Sequence, residues 1–292
     1  MSELVFRSYT RSALDKEYDN QKKISDFQSY VDYCRRESAV TRQQRRGYLD
    51  ISYGKGRAEK LDIFPSRSGK KTAVEIYFHG GYWRLLDKSD FSYVAHGFNA
   101  HDVMAVIVNY SLVPSVDLDT LIGECRAAVA WVFRNIERFG GDPERLFASG
   151  HSAGGHIAAM MLATDWTDYG RDLPREILKG ATAISGLFDL EPMRHCFLAD
   201  TLRFTPDQVA RNSPVLLRPK CSAPLLLAVG GDEGQEYLRQ SGDLAKAWAS
   251  TACRPEMVVL ANQNHFSIRD QLGDPASEMV SLMKRHWINS RL

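Results

Sequence analysis

The sequence predicts an α/β fold: an open, mostly parallel β-sheet with helices on both faces. Three observations carry this. Short apolar runs rich in Val, Ile, Leu and Ala recur at residues 73–78, 103–109, 146–149, 181–185, 225–229 and 257–260, as in strands buried on both faces. Helical patterns alternate with them at 118–139, 153–163, 235–250 and 275–289, and strand-helix alternation builds parallel sheets. Hydrophobic residues make up 44% of the 292-residue chain, enough for a large core. Chains of this class and length fold as one unit, so a single domain over residues 1–292 is expected.

The remaining segments fill in around that frame. Residues 14–46 are polar, free of Pro and Gly, and carry apolar residues at loosely helical spacing, which predicts one or two N-terminal helices. Residues 48–53 and 60–64 alternate apolar and polar side chains around Gly54 and Gly56, the pattern of a half-buried hairpin. Residues 187–213, with Pro192 and Pro206, interrupt the alternation and predict a small inserted cap.

Charge and cysteine usage narrow the function. Lys plus Arg (37) nearly cancels Asp plus Glu (36), so no broad field attracts nucleic acid or an anionic membrane. Cys34, Cys125, Cys196, Cys221 and Cys253 are scattered, odd in number and lack C-x-x-C spacing, which argues against a disulfide framework or a metal site. The first twenty residues lack the apolar core of an export signal, and the apolar runs are far shorter than the roughly 20 residues of a spanning helix. A cytoplasmic location fits.

The chemistry concentrates at predicted strand ends, where ligand sites of open α/β sheets lie. Gly150-His151-Ser152-Ala153-Gly154-Gly155 joins a short strand directly to an apolar helix, the setting of the G-x-S-x-G nucleophile elbow of the α/β-hydrolase fold. Ser152 is therefore the candidate nucleophile, with helix N-capping as the structural alternative. Attack on a carbonyl needs backbone donors for the oxyanion, and the strand at 73–78 ends in His79-Gly80-Gly81-Tyr82-Trp83. Gly80, Gly81 and Tyr82, with Ala153 after the nucleophile, are the expected oxyanion hole. His79 reads as a brace for that loop, with a role as base the lesser alternative.

An acid and a base should follow in chain order. Gly230-Gly231-Asp232-Glu233 and Asn262-Gln263-Asn264-His265-Phe266 each follow a predicted strand. Asp232 is the expected acid, with adjacent Glu233 as its rival, and His265 the expected base. Tyr82, Trp83, Phe188 and Phe266 sit in loops near strand ends and suggest an apolar substrate pocket, with core packing the lesser alternative for Tyr82 and Trp83. Which cation would hold a substrate carboxylate is not determined by the sequence: Arg84, Arg194 and Arg203 are candidates, but each reads first as a surface charge.

Together with Ser185-Gly186-Leu187-Phe188-Asp189-Leu190 and Leu14-Asp15-Lys16-Glu17-Tyr18-Asp19-Asn20, these motifs resemble the kynurenine formamidase (arylformamidase) branch of the hormone-sensitive-lipase-like esterases. Tyr82-Trp83 in place of a third Gly is the most specific mark. The resemblance implies a largely parallel eight-stranded sheet, no metal or other cofactor, and hydrolysis of N-formyl-L-kynurenine to kynurenine and formate; carboxylesterases also belong to the group. The expected partner is a small aromatic amide or ester. A homodimer is compatible with the sequence but not dictated by it, and whether residues 14–46 cover the site is open.

Overall fold

A computed structural model describes residues 3–66, 68 and 70–289. The central sheet contains eight strands: β1 (Tyr48–Ser52), β2 (Lys60–Phe64), β3 (Thr72–Phe78), β4 (Met104–Val108), β5 (Gly141–His151), β6 (Leu178–Ile184), β7 (Leu225–Gly230) and β8 (Glu256–Leu260). Their spatial order is β8-β7-β6-β5-β3-β4-β2-β1. Only β1 and β2 run antiparallel to their neighbours; β3 to β8 are parallel. Every strand expected from apolar runs or alternation is present. β5 starts five residues earlier than its apolar core, because Gly141 to Arg145 carry no large apolar side chain and Asp142 to Arg145 are partly or fully exposed, so they gave no hydrophobic signal.

Side-chain alternation on β3 explains the two-sided core. Val74, Ile76 and Phe78 face one apolar layer, and Ala73 and Tyr77 face the other, as the period of two requires. The first layer is covered by α3 (Leu118–Asn135), α4 (Ala153–Leu162) and α5 (Gln235–Trp248). The second is covered by the segment Lys88–Val94 and by α6 (Glu278–Asn289), through Phe91, Val94, Met283 and Trp287. Every residue of α4 is buried, which accounts for its apolar character on all faces.

The N-terminal segment forms α1 (Arg11–Tyr18), one turn at Asn20–Lys23 and α2 (Phe27–Gln44). Thr10 Oγ1 accepts from Ala13 N and starts α1. A buried ion cluster ties α2 to the body: Arg42 and Lys88 both pair with Asp62 on β2, which is fully buried. Residues 187–213 fold as short turns at Glu191–Arg194, Ala199–Leu202 and Pro206–Asn212, with Leu187, Phe188, Leu190 and Met193 in the core. Among the described residues no helix is long and apolar enough to cross a membrane.

Candidate active site

One cavity opens at the carboxyl ends of β3, β5 and the loop after β8, and Ser152, His265, Gly80, Gly81, Tyr82 and Phe266 all line it. Ser152 occupies the turn between β5 and α4 with φ 58° and ψ −120°. Such a conformation costs of order 1–3 kcal/mol in a non-Gly residue and is held by the Ser152 N–H donating to Ile184 O at 2.8 Å. Helix α4 then starts with His156 N donating to Ser152 O. Its first turn packs on the end of β3 so closely that a Cβ at Gly154 would lie 1.9 Å from Phe78 O. Only glycine permits that approach.

The loop after β3 is held in an equally special shape. Gly81, Tyr82 and Trp83 have consecutive positive φ of 106°, 50° and 58°, turning the chain so that Arg84 N and Leu85 N both donate to Gly81 O. A side chain at Gly81 would meet Leu85 O at 2.3 Å. His79 is fully buried, stacked on Tyr110 at 4.3 Å and Phe91 at 5.8 Å. Its Nδ1 is spent on Gly80 O at 2.8 Å, and burial pushes its pKa down. His79 thus braces the loop as a neutral ring.

His265 Nδ1 lies 2.6 Å from Glu233 Oε2. This corrects the expected acid: Asp232 is exposed and directed to solvent, whereas the Glu233 side chain is fully buried. The turn after β7 explains the choice. Glu233 N donates to Gly230 O and Asp232 N to Gln263 O, so the backbone folds back and the longer side chain reaches under it. Glu233 Oε1 accepts from Gly230 N at 2.7 Å and from the Ser185 hydroxyl. With Nδ1–H donated to the carboxylate, Nε2 of His265 is the nitrogen left for Ser152. Neighbouring His151, its ring 4.5 Å from that of His265, is pushed well below the usual range by burial and then by the nearby His265 and Arg269. It stays neutral and adds no repulsion to an imidazolium.

Of the four aromatic residues expected to line the pocket, Tyr82 and Phe266 do so. Trp83 and Phe188 are corrected: both are fully buried in the core. The Trp83 indole N–H donates to His156 Nδ1 at 3.2 Å, and His156 Nε2–H donates to Asn212 O. Burial lowers the His156 pKa to about 4, which keeps the neutral form this relay requires. The Phe188 N–H and Asp189 N–H both donate to Gln240 Oε1, which turns that segment inward.

Residues 14–46 cover the site. Tyr18, Asp19, Asn20, Phe27, Val31 and Cys34 form one wall of the cavity, whereas residues 187–213 supply Phe197. Phe27 packs on Phe266 at 5.0 Å. Of the three arginines left open by the sequence, Arg84 lines the cavity, with its Nε buried and without a hydrogen-bond partner. Arg194 is paired with Glu191 and Arg203 with Asp200 O. Arg269, unmarked by any motif, also lines the cavity, held by Asp270 and lying over the Phe91 and Phe266 rings.

Comparison with known proteins agrees with this layout. A BD-FAE family model matches residues 61–247. A kynurenine formamidase of Danio rerio is 34% identical over 241 residues, 80% of each chain, and that of Salmo salar 31% identical over 264 residues, covering 88% of this chain and 87% of the relative. The crystal structure of a candidate thioesterase from Silicibacter sp. tm1040 superposes with a TM-score of 0.81 at 27% identity, covering 93% of this chain and 98% of the other. A Pyrobaculum calidifontis esterase shares the fold, with a TM-score of 0.70 at 16% identity and coverage of 96% and 97%. The chain is a hydrolase of the α/β-hydrolase fold and belongs to the kynurenine formamidase family.

Proposed function

We propose that the chain is an arylformamidase that cleaves N-formyl-L-kynurenine to kynurenine and formate, with Ser152 as nucleophile, His265 as base and Glu233 as the acid. The observation that carries the mechanism is the buried Glu233–His265 pair opening onto the same cavity as the strained Ser152 turn. The substrate assignment is supported by the two fish kynurenine formamidases, which align over at least four fifths of the chain.

His265 Nε2 takes the Ser152 hydroxyl proton as Oγ bonds to the formyl carbon, and Glu233 stabilises the imidazolium. The oxyanion is received by N–H groups of the Gly80–Tyr82 loop and of Ala153, each worth roughly 2.7–4 kcal/mol. Collapse breaks the C–N bond, and the aryl amine leaves with the proton from His265. Water, deprotonated by His265, then hydrolyses the formyl-enzyme and releases formate and Ser152.

Pocket shape supports a small acyl group and a planar leaving group. A Cβ at Gly80 would sit 3.3 Å from Ser152 Cβ and 2.9 Å from His151 O, so the loop passes close to the nucleophile. Phe27, Phe91 and Phe266 supply aromatic walls, and Arg84 and Arg269 supply cations for a carboxylate. Measuring kcat/KM for N-formyl-L-kynurenine against p-nitrophenyl acetate tests the reading. The formamide is expected to be the better substrate. Preference for the ester by orders of magnitude would instead assign the chain as a short-chain carboxylesterase, a class represented by an NlhH segment of Mycobacterium tuberculosis that is 41% identical over 90 residues.

A further inference from the structure

The N-terminal segment and the oxyanion loop meet in a hydrogen-bonded circuit whose proton positions are fixed by its two ends. Tyr82 Oη lies 2.7 Å from Tyr18 O, a carbonyl that can only accept, so the single Tyr82 hydroxyl proton goes there. Tyr237 Oη, 2.7 Å from Tyr82 Oη, must then donate to it. Asn20 Nδ2, which can only donate, gives one proton to Tyr237 Oη at 2.7 Å and the other to Tyr82 Oη at 3.2 Å. The circuit therefore runs from Asn20 through Tyr237 and Tyr82 to Tyr18 O. Both ends lie on the N-terminal segment, two residues apart in sequence. Each group in it is satisfied, as a buried polar network requires.

Two further contacts connect this circuit to the chemistry. Tyr82 is itself one of the positive-φ residues of the oxyanion loop, so its hydroxyl is the outer anchor of a strained backbone that, with Gly80 and Gly81, lines the cavity. The Tyr237 ring lies against the His265 ring at 4.6 Å between centroids. The segment end is held in turn by the Tyr18 hydroxyl, which donates to Glu236 Oε2 at 2.7 Å and accepts from Gln240 Nε2 at 2.9 Å. Glu236, Tyr237 and Gln240 all belong to α5.

We infer that Asn20 and Tyr237 are positioning residues for the oxyanion hole: docking of the N-terminal segment onto α5 sets the loop through the Tyr82 hydroxyl. The covering segment is then part of the catalytic apparatus, and its contribution appears in transition-state stabilisation as well as in substrate binding. This rests on the reading of Ser152 as nucleophile and is independent of which acyl group it carries.

The test uses full-length Asn20→Ala, Tyr237→Phe and Tyr82→Phe proteins and the double variant Asn20→Ala/Tyr237→Phe. The readouts are kcat and KM for p-nitrophenyl acetate, inhibition by phenylboronic acid and the thermal midpoint. Phenylboronic acid bonds through boron to a serine Oγ and places a hydroxyl of the tetrahedral adduct where the oxyanion would sit. Each single variant is expected to lower kcat about tenfold or more with KM changed less than about threefold, and the boronate Ki should rise in step. The double variant should be little worse than its weaker parent, because both changes break one circuit. A boronate Ki that stays at the wild-type value, a loss confined to KM or to the thermal midpoint, or losses that multiply in the double variant would overturn the inference and leave Ser152 in place. A wild-type protein that forms no boronate adduct would overturn both.

Discussion

The two walls of the catalytic cavity are made in different ways. One wall comes from loops at the ends of β3, β5, β7 and β8, where backbone geometry is dictated by the sheet: Ser152 N is bonded to Ile184 O, and Gly230 N to Glu233. The other comes from residues 18–35, which meet the sheet body through side chains such as Tyr18, Asn20 and Phe27 and through the Tyr18 carbonyl, with Arg42 further along α2 adding an ion pair. A wall built on strand ends is placed by the fold itself. A wall docked by side chains is placed by a few specific contacts, each of which a single substitution can remove.

The largest effects should come from the strand-end wall. Ser152→Ala is expected to lower kcat by about 10⁴-fold or more, measured with a short ester or the formamide. Glu233→Gln should cost about 10⁴-fold, because the amide can present its NH₂ to His265 Nδ1 and favour the wrong tautomer. Asp232→Asn, one residue away and exposed, should leave kcat/KM within about twofold. A reversed outcome for the two acids would show that the carboxylate seen on His265 is not the one used in turnover.

That contrast also explains what the sequence revealed. Ser152, the Gly80-Gly81 pair and His265 were legible because each lies in the loop that follows a predicted strand, and all line one cavity. Glu233 was not separable from Asp232, since neighbouring carboxylates in a turn differ only in which one the backbone folds over; the Ser185 hydroxyl that helps to bury Glu233 lies at another strand end. Trp83 and Phe188 were misplaced for a similar reason. Loops at strand ends can turn inward, and the acceptors that pull these two in, His156 Nδ1 and Gln240 Oε1, lie on helices distant in sequence. The docked wall was legible as helix but not as cover, because nothing local to residues 14–46 records the partners Tyr82, Tyr237 and Phe266.

The attachment of that wall should be sensitive to one buried carboxylate. Asp62 sits at 0% exposure between Arg42 of α2 and Lys88, which is itself 3% exposed. Asp62→Ala leaves Lys88 paired with Asp50 and leaves Arg42 with the Ser92 hydroxyl in place of a carboxylate, and removing one member of a buried pair typically costs about 3–5 kcal/mol. Denaturant unfolding should report a loss of that size. A loss below about 1 kcal/mol would mean the covering segment is held by its apolar contacts and the hydrogen bonds of Tyr18 and Asn20, without help from this ion cluster.

The sheet body carries a cost of its own at Glu75, buried on β3 with Oε2 receiving the Trp287 indole N–H at 2.6 Å. Burial raises its pKa from 4.5 to about 7. A carboxyl raised in the folded state holds its proton more tightly there than in the unfolded chain. Below pH 4.5 it therefore has no effect on stability; between 4.5 and about 7 it becomes increasingly destabilising, and above 7 the penalty is constant at roughly 3 kcal/mol. Glu75→Gln, which keeps an acceptor for Trp287, should raise stability by up to that amount at pH 8 and leave it unchanged at pH 4. Equal effects at both pH values would mean that burial does not raise the carboxyl's pKa in the fold.

The smallest predicted effect separates the two walls most directly. Phe27 on the docked wall and Phe266 on the strand-end wall face each other at 5.0 Å, and an aromatic contact of this kind contributes about 0.5–1.5 kcal/mol. If Phe27 acts only as cover for the leaving group, Phe27→Ala should raise KM for an aryl substrate roughly two- to tenfold and leave kcat nearly unchanged. Phe266 follows His265 directly and its N–H is held by Asn264 Oδ1 at 2.9 Å, so Phe266→Ala should lower kcat as well. A fall in kcat for Phe27→Ala equal to that for Phe266→Ala would mean that the docked wall positions the base too, and that the two walls act as one unit.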